Sequence, residues 1–228
     1  MHALRLLVCI LLAVPVGSIV ERASRGFVRE QPLFRPSDAP AVDARRVATI
    51  GVLAVAYVLA AIRFDGSSWL ELFAYLALFA VLLLLSLVDL VDYRLPDVIV
   101  LPSISVGLVT VVVLAMVDHA GDRLRCALIA AAIAFAVLLI AHLISPRGMG
   151  FGDVKLAALL GLAVGWQATT TVDAFILVLW MLLIGFGLGS IAGVVLWVVR
   201  RGNAPFPFGP FLALGTVATI LLSGALVG

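Results

Sequence analysis

The sequence predicts an all-α protein, a bundle of about eight transmembrane helices, and three observations carry that prediction. Of 228 residues, 64% are apolar and 12% charged, and the mean hydropathy is +1.25. Soluble domains average about 45–50% apolar and about 25% charged residues, so the bilayer must be the solvent for much of this surface. Apolar runs of membrane-spanning length recur along the whole chain. The charges collect in the stretches between those runs.

A spanning helix needs about 20 apolar residues, within a range of about 17–25. The runs that qualify are 4–20, 47–62, 69–88, 98–117, 126–144, 154–166, 172–199 and 208–227. The sixth is short. At 1.5 Å per residue it reaches about 20 Å, against a hydrocarbon core of about 30 Å. The seventh is long and carries Gly185, Gly189 and Gly193 on one face, where another helix can approach closely. The first run has a weak basic flank and no clean small-residue cleavage site, so it reads as a retained helix, not a signal peptide. The whole chain, 1–228, reads as one membrane-embedded domain with a polar, proline-containing loop at 21–46.

Orientation follows from the basic residues. One alternating set of loops holds Arg22, Arg25, Arg29, Arg35, Arg45, Arg46, Arg94, Arg147, Lys155, Arg200 and Arg201; the other holds Arg5, Arg63, Arg123 and Arg125. The positive-inside rule places the first set in the cytoplasm and both termini outside. A net charge of +2 gives no reason to expect a nucleic-acid partner. Cys9 and Cys126 lie in apolar runs without a CxxC pair, so they read as inert thiols and no metal site is expected.

Ionisable groups inside a membrane are expensive and are functional candidates by default. Most carboxylates here, with Glu71 and Asp173 near outer helix ends, read as solvated. Two places differ. In Ser86-Leu-Val-Asp89-Leu-Val-Asp92-Tyr-Arg-Leu95-Pro96-Asp97, Asp89 ends the third run, Pro96 stops the helix, and Asp97 can cap the next. In Gly148-Met-Gly150-Phe-Gly152-Asp153-Val-Lys155, three glycines precede the aspartate that opens the short sixth run. Two helices separate these places, an even number, so both fall at the cytoplasmic side. Capping at the interface is the bland reading. The sharper one is a pair of carboxylates sharing a proton, one taking a proton from water and the other donating to a scissile carbonyl. The helix dipole favours charge on Asp153, at a helix start, and disfavours it on Asp89, at a helix end, which suggests Asp153 as base and Asp89 as acid. His142 reads as a packed or interfacial side chain.

These motifs resemble those of the bacterial type IV prepilin peptidases, membrane aspartic proteases with a GxGD motif. Asp89 with Leu95-Pro96-Asp97 is similar to the family's first aspartate motif. Gly148-Met-Gly150-Phe-Gly152-Asp153-Val-Lys155-Leu156 is similar to its second, Pro207-Phe-Gly-Pro210 to its C-terminal segment, and Val16-Gly-Ser18 to the start of its N-terminal part. The resemblance implies a multi-pass inner-membrane endopeptidase that removes a basic leader from prepilins or pseudopilins at the cytoplasmic face. Asp89 and Asp153 would be the catalytic pair, with Gly150 and Gly152 shaping the second motif. Asp92 and Asp97 are expected to meet the basic leader. No cofactor is expected for proteolysis. Bifunctional members carry a longer insert with CxxC pairs where this chain has 21–46 without cysteine, so S-adenosylmethionine is expected only if methylation is retained. Two other readings stay open: a different GxGD intramembrane protease, and a non-enzymatic transporter component using Asp89 and Asp153 as an ion site.

Overall fold

The computed structural model describes residues 2–29, 43–146, 149–200 and 206–227. Among them lie eight helices and no strand: α1 (His2–Arg29), α2 (Ala44–Arg63), α3 (Trp69–Asp92), α4 (Asp97–Val117), α5 (Gly121–Ile144), α6 (Phe151–Gly165), α7 (Thr171–Arg200) and α8 (Gly209–Leu226). Every apolar run became a helix. The one large boundary error is in α1, which continues past Val20 to Arg29. The expected loop at 21–46 therefore begins as helix and ends at Asp43, before α2. A local pair explains the extension: Glu21 and Arg25, one turn apart, form an ion pair along α1. The prolines of that loop, Pro32, Pro36 and Pro40, lie outside the described residues.

Seven of these helices are long and apolar enough to cross a membrane, all except α6. Its 15 residues span about 22 Å. α6 packs against α4, α5, α7 and α8, and ten of its residues are buried. Its all-round apolar surface is therefore met by protein, as in a core helix.

The chain divides into two compact helical units, 1–92 and 93–228. The division falls where Tyr93 takes a positive φ of 54° and Pro96 precedes α4. A proline there removes a helical N–H and keeps α3 from running on. In the first unit α1, α2 and α3 pack on one another around Leu53, Tyr57, Leu72, Leu76, Leu82 and Leu85. One end is closed by Arg5, which the sequence placed in a loop but which is buried within α1. Its guanidinium donates to the carbonyl of Phe64, the C-cap of α2, and to that of Ser67, and it lies 5.0 Å from the Trp69 ring centre. Glu71, expected to be solvated, is also buried, at 5% exposure. It sits in the first turn of α3, where the helix dipole favours a carboxylate.

The second unit is built on α5 against α6 and α7 against α8. A Cβ on Gly161 would stand 2.5 Å from the Ala130 carbonyl oxygen, and one on Gly165 would stand 2.4 Å from the Ala130 Cβ. Only glycines permit that backbone approach. The expected glycine face of α7 also meets a neighbour: Gly185 lies against Phe211 and Leu212, and Gly189 against Phe208. At the far end of this unit Arg123 donates to the carbonyl of Trp166, the C-cap of α6, at 2.9 Å and stacks 4.7 Å from its ring.

Candidate active site

In the first unit, Asp89 lies near the C-terminal end of α3 and is 4% exposed. It belongs to the same buried set as Leu85 and Val88 on the preceding turn. Asp92, at the end of the helix, is exposed. The same end of this unit holds a polar network that the sequence reading did not single out. Glu21, fully buried, pairs with Arg25, and Arg25 reaches Asp43 at the start of α2, at 2.9 Å. Arg46 donates to Ser18 at 3.0 Å. The four-residue spacing of Glu21 and Arg25 was the available signal, obscured because their polarity read as loop.

In the second unit, Asp153 is the third residue of α6 and is 8% exposed. Its backbone N–H donates to the Gly150 carbonyl at 3.1 Å, which turns the chain into the helix. The two described motif glycines do different things. Gly150 is the N-cap in an ordinary extended conformation, φ −69°, and a Cβ there would lie 3.4 Å from Asp153 Oδ2, a normal contact. A Cβ on Gly152 would lie 2.9 Å from the Leu95 Cβ. Gly152 is thus the place where the Leu95-Pro96-Asp97 turn packs directly onto the first turn of α6. The third glycine, Gly148, lies outside the described residues.

Asp97 does not cap α4. Pro96 is the N-cap, without a side-chain cap bond, and Asp97 is the first helical residue. Both its carboxylate oxygens instead accept from Lys155 Nζ, each at 2.8 Å. A carboxylate at a helix start already meets the positive end of the dipole, and bidentate capture of an ammonium leaves it little reason to turn back to its own backbone. Lys155 also lies 5.1 Å from the Phe151 ring centre. His142, on the last turn of α5, donates from Nδ1 to the Met149 carbonyl at 2.8 Å and lies 5.5 Å from Phe151, a packed side chain tying the approach to Gly150.

The structure therefore gathers Gly150, Gly152, Asp153, Leu95, Asp97 and Lys155 in one unit and sets Asp89 and Asp92 in the other. Each candidate catalytic aspartate is a buried carboxylate at an end of a helix in its own unit, one at a helix end and one at a helix start. Among the described residues no group of three or more His, Cys, Asp or Glu side chains could hold a metal ion.

A multi-pass, all-helical membrane protein with two buried aspartates in sequence motifs is a narrow class, and comparison with known proteins narrows it further. Residues 76–198 match the model of the type IV leader peptidase family, a stretch that includes Asp89, Gly150, Gly152 and Asp153. The chain belongs to that family. It is similar to proteins named prepilin leader peptidase/N-methyltransferase. One from Pseudomonas aeruginosa is 36% identical over 142 residues, covering 58% of this chain and 43% of that protein. One from Burkholderia pseudomallei is 36% identical over 169 residues, covering 70% and 49%. One from Aeromonas salmonicida is 34% identical over 144 residues, covering 62% and 46%. The chain spans about half the length of these relatives. No solved structure matches it. Its apolar helices and these relatives make it a multi-pass inner-membrane protein.

Proposed function

We propose that this protein is an aspartic endopeptidase that removes the basic leader from type IV prepilins or pseudopilins at the cytoplasmic face of the inner membrane, with Asp89 and Asp153 as its catalytic pair. The observation that carries the reading is the buried Asp153 in the first turn of α6, inside a glycine motif whose Gly152 admits the turn that follows Asp89 and Asp92 in the chain. A carboxylate at a helix start is favoured in its charged form and one at a helix end is disfavoured. That supports Asp153 as the group that takes a proton from the attacking water and Asp89 as the group that donates to the scissile carbonyl. Two carboxylates that share a proton titrate as a unit, so the assignment concerns only where that proton starts. Water attacks directly, and the amide nitrogen leaves with the proton that water gave up.

Asp92, exposed at the end of α3, is placed to meet a basic leader. Asp97, also exposed, has its charge balanced by Lys155, which leaves Asp92 as the acidic group assigned to the leader. Proteolysis of this kind needs no cofactor. The relatives' names add methyl transfer, which would call for a site for a cationic sulfonium donor such as S-adenosylmethionine. Glu21 and Asp43 are the acidic groups at the described ends of α1 and α2, and both are engaged by Arg25.

The test is co-expression with a prepilin from the same genome and mass spectrometry of the mature N-terminus. A product shortened by its leader and lacking the added mass of a methyl group is expected. An unshortened pilin would contradict the peptidase reading, and a methylated product would restore the second activity.

A further inference from the structure

Lys155 opens the second turn of α6, a cation close to the helix end where the dipole favours negative charge. Nothing in the proteolytic chemistry above uses it. Its side chain is 22% exposed and its ammonium sits between both oxygens of Asp97, at 2.8 Å, with the Phe151 ring below it. Asp97 opens α4, and Lys155 lies two residues beyond Asp153 on α6. One turn earlier, the same two segments touch again where Leu95 packs on Gly152. The two contacts differ in kind. The glycine contact sets how closely the segments approach, and it is apolar and slides easily. The ion pair brings one ammonium to both oxygens of Asp97 and so tethers the start of α4 to α6 at a fixed pair of positions, which holds the register.

We propose that Lys155 and Asp97 are positioning residues of the peptidase: their ion pair locks the Leu95-Pro96-Asp97 turn in register on the first turn of α6 and so fixes the direction in which that turn presents the Asp153 carboxylate. The inference rests on the peptidase reading and deepens it. Asp97 then serves the site through Lys155 and not through contact with the leader. The partly exposed pair is worth about 0–1 kcal/mol on its own account, so its loss loosens the turn without unfolding the unit. A loss of that size corresponds to a rate reduction of up to about fivefold if it is felt wholly at the transition state, and somewhat more if Asp153 shifts by a fraction of an ångström.

The experiment uses the full-length protein in liposomes with a purified prepilin as substrate. The variants are Lys155→Met, Asp97→Asn, Lys155→Arg and the charge exchange Asp97→Lys with Lys155→Asp. The first two should each lower kcat about five- to tenfold with KM unchanged. Lys155→Arg should keep most of the rate, because the guanidinium also makes a bidentate pair with a carboxylate. The exchange should recover at least half of what either single change loses. A second readout does not depend on activity. Trypsin can cut after Arg94, which is exposed in the turn, and cutting should be several-fold faster in Lys155→Met and Asp97→Asn and slow again in the exchange. If wild type leaves the prepilin uncut, the peptidase reading has failed, and the trypsin rates alone decide the clamp. If wild type cuts and the single changes raise KM without lowering kcat, Asp97 is a leader contact and the positioning role is overturned. Unaltered kcat and unaltered trypsin rates in Lys155→Met would overturn it as well.

Discussion

The two helical units finish their far ends in the same way and their motif ends in different ways. At the far end of each, an arginine donates to the carbonyl at the C-cap of a helix and stacks on a tryptophan: Arg5 on Phe64 and Trp69 in the first unit, Arg123 on Trp166 in the second. The physics is shared, since a helix C-terminus leaves carbonyls without partners and carries partial negative charge that a cation satisfies. The motif ends diverge. The first unit holds its end with the ionic bridge from Glu21 through Arg25 to Asp43. The second holds its end by backbone approach at Gly152, with an ion pair at the rim. Long side chains suffice to tie helix ends together, whereas holding a carboxylate in direction takes both contacts: glycine sets how closely the segments approach, and the Asp97–Lys155 pair sets their register.

The largest effect is expected at Arg25→Met, which strands the buried Glu21 carboxylate. Removing one partner of a buried pair costs about 3–5 kcal/mol, read as a lowered unfolding midpoint of the detergent-solubilised protein. Glu21→Gln combined with Arg25→Met should recover much of it, and a double variant as unstable as the single one would show that Glu21 does not depend on Arg25.

Next comes the glycine pair. Gly152→Ala forces a Cβ to within 2.9 Å of Leu95, and overpacking of this kind costs about 1–3 kcal/mol. Felt at Asp153, that is a loss of processing rate of about 10–10². Gly150→Ala meets only an ordinary contact and should stay within about threefold of wild type. Equal losses at both positions would mean that the motif serves backbone freedom, not close approach.

The far ends should affect stability and spare the rate. Arg5→Met removes the arginine's bonds to the Ser67 carbonyl and to the Phe64 carbonyl, which keeps the Ser67 N–H and hydroxyl as donors, at about 1 kcal/mol. Arg123→Met, at a less buried position, should cost less. Thermal melts and the processing rate of the same samples check both halves of the statement. The smallest effect is expected at Asp92→Asn, a rise in KM of about threefold with kcat unchanged, since an exposed charge contributes about 0–1 kcal/mol to binding. Unchanged KM would remove Asp92 from leader recognition.

The eight helices were legible because apolar length is a strong signal in a membrane protein, and Asp89 and Asp153 stood out because each adjoins an apolar run inside a proline- or glycine-marked motif. Facing was not legible. A helix that is apolar on every side has no polar stripe against which a lone charge can be oriented, so the burial of Arg5 and Glu71 could not be read. The extension of α1 was missed because Glu21 to Arg29 is polar, although the Glu21–Arg25 spacing favours a helix. The ties between Asp97 and Lys155 and between Leu95 and Gly152 join residues far apart in sequence, and no local pattern marks them.

In the proposed mechanism two aspartates, and no others, perform the cleavage. The direct measurement is the ratio of processed to unprocessed prepilin, normalised to enzyme abundance, for Asp89→Asn, Asp153→Asn and Asp92→Asn. Asn keeps the size and hydrogen bonding of Asp but cannot exchange a proton, and positioned proton transfer is worth about 10²–10⁴-fold. No detectable processing is expected from the first two variants and near-normal processing from the third. Normal processing by Asp89→Asn and Asp153→Asn would contradict it.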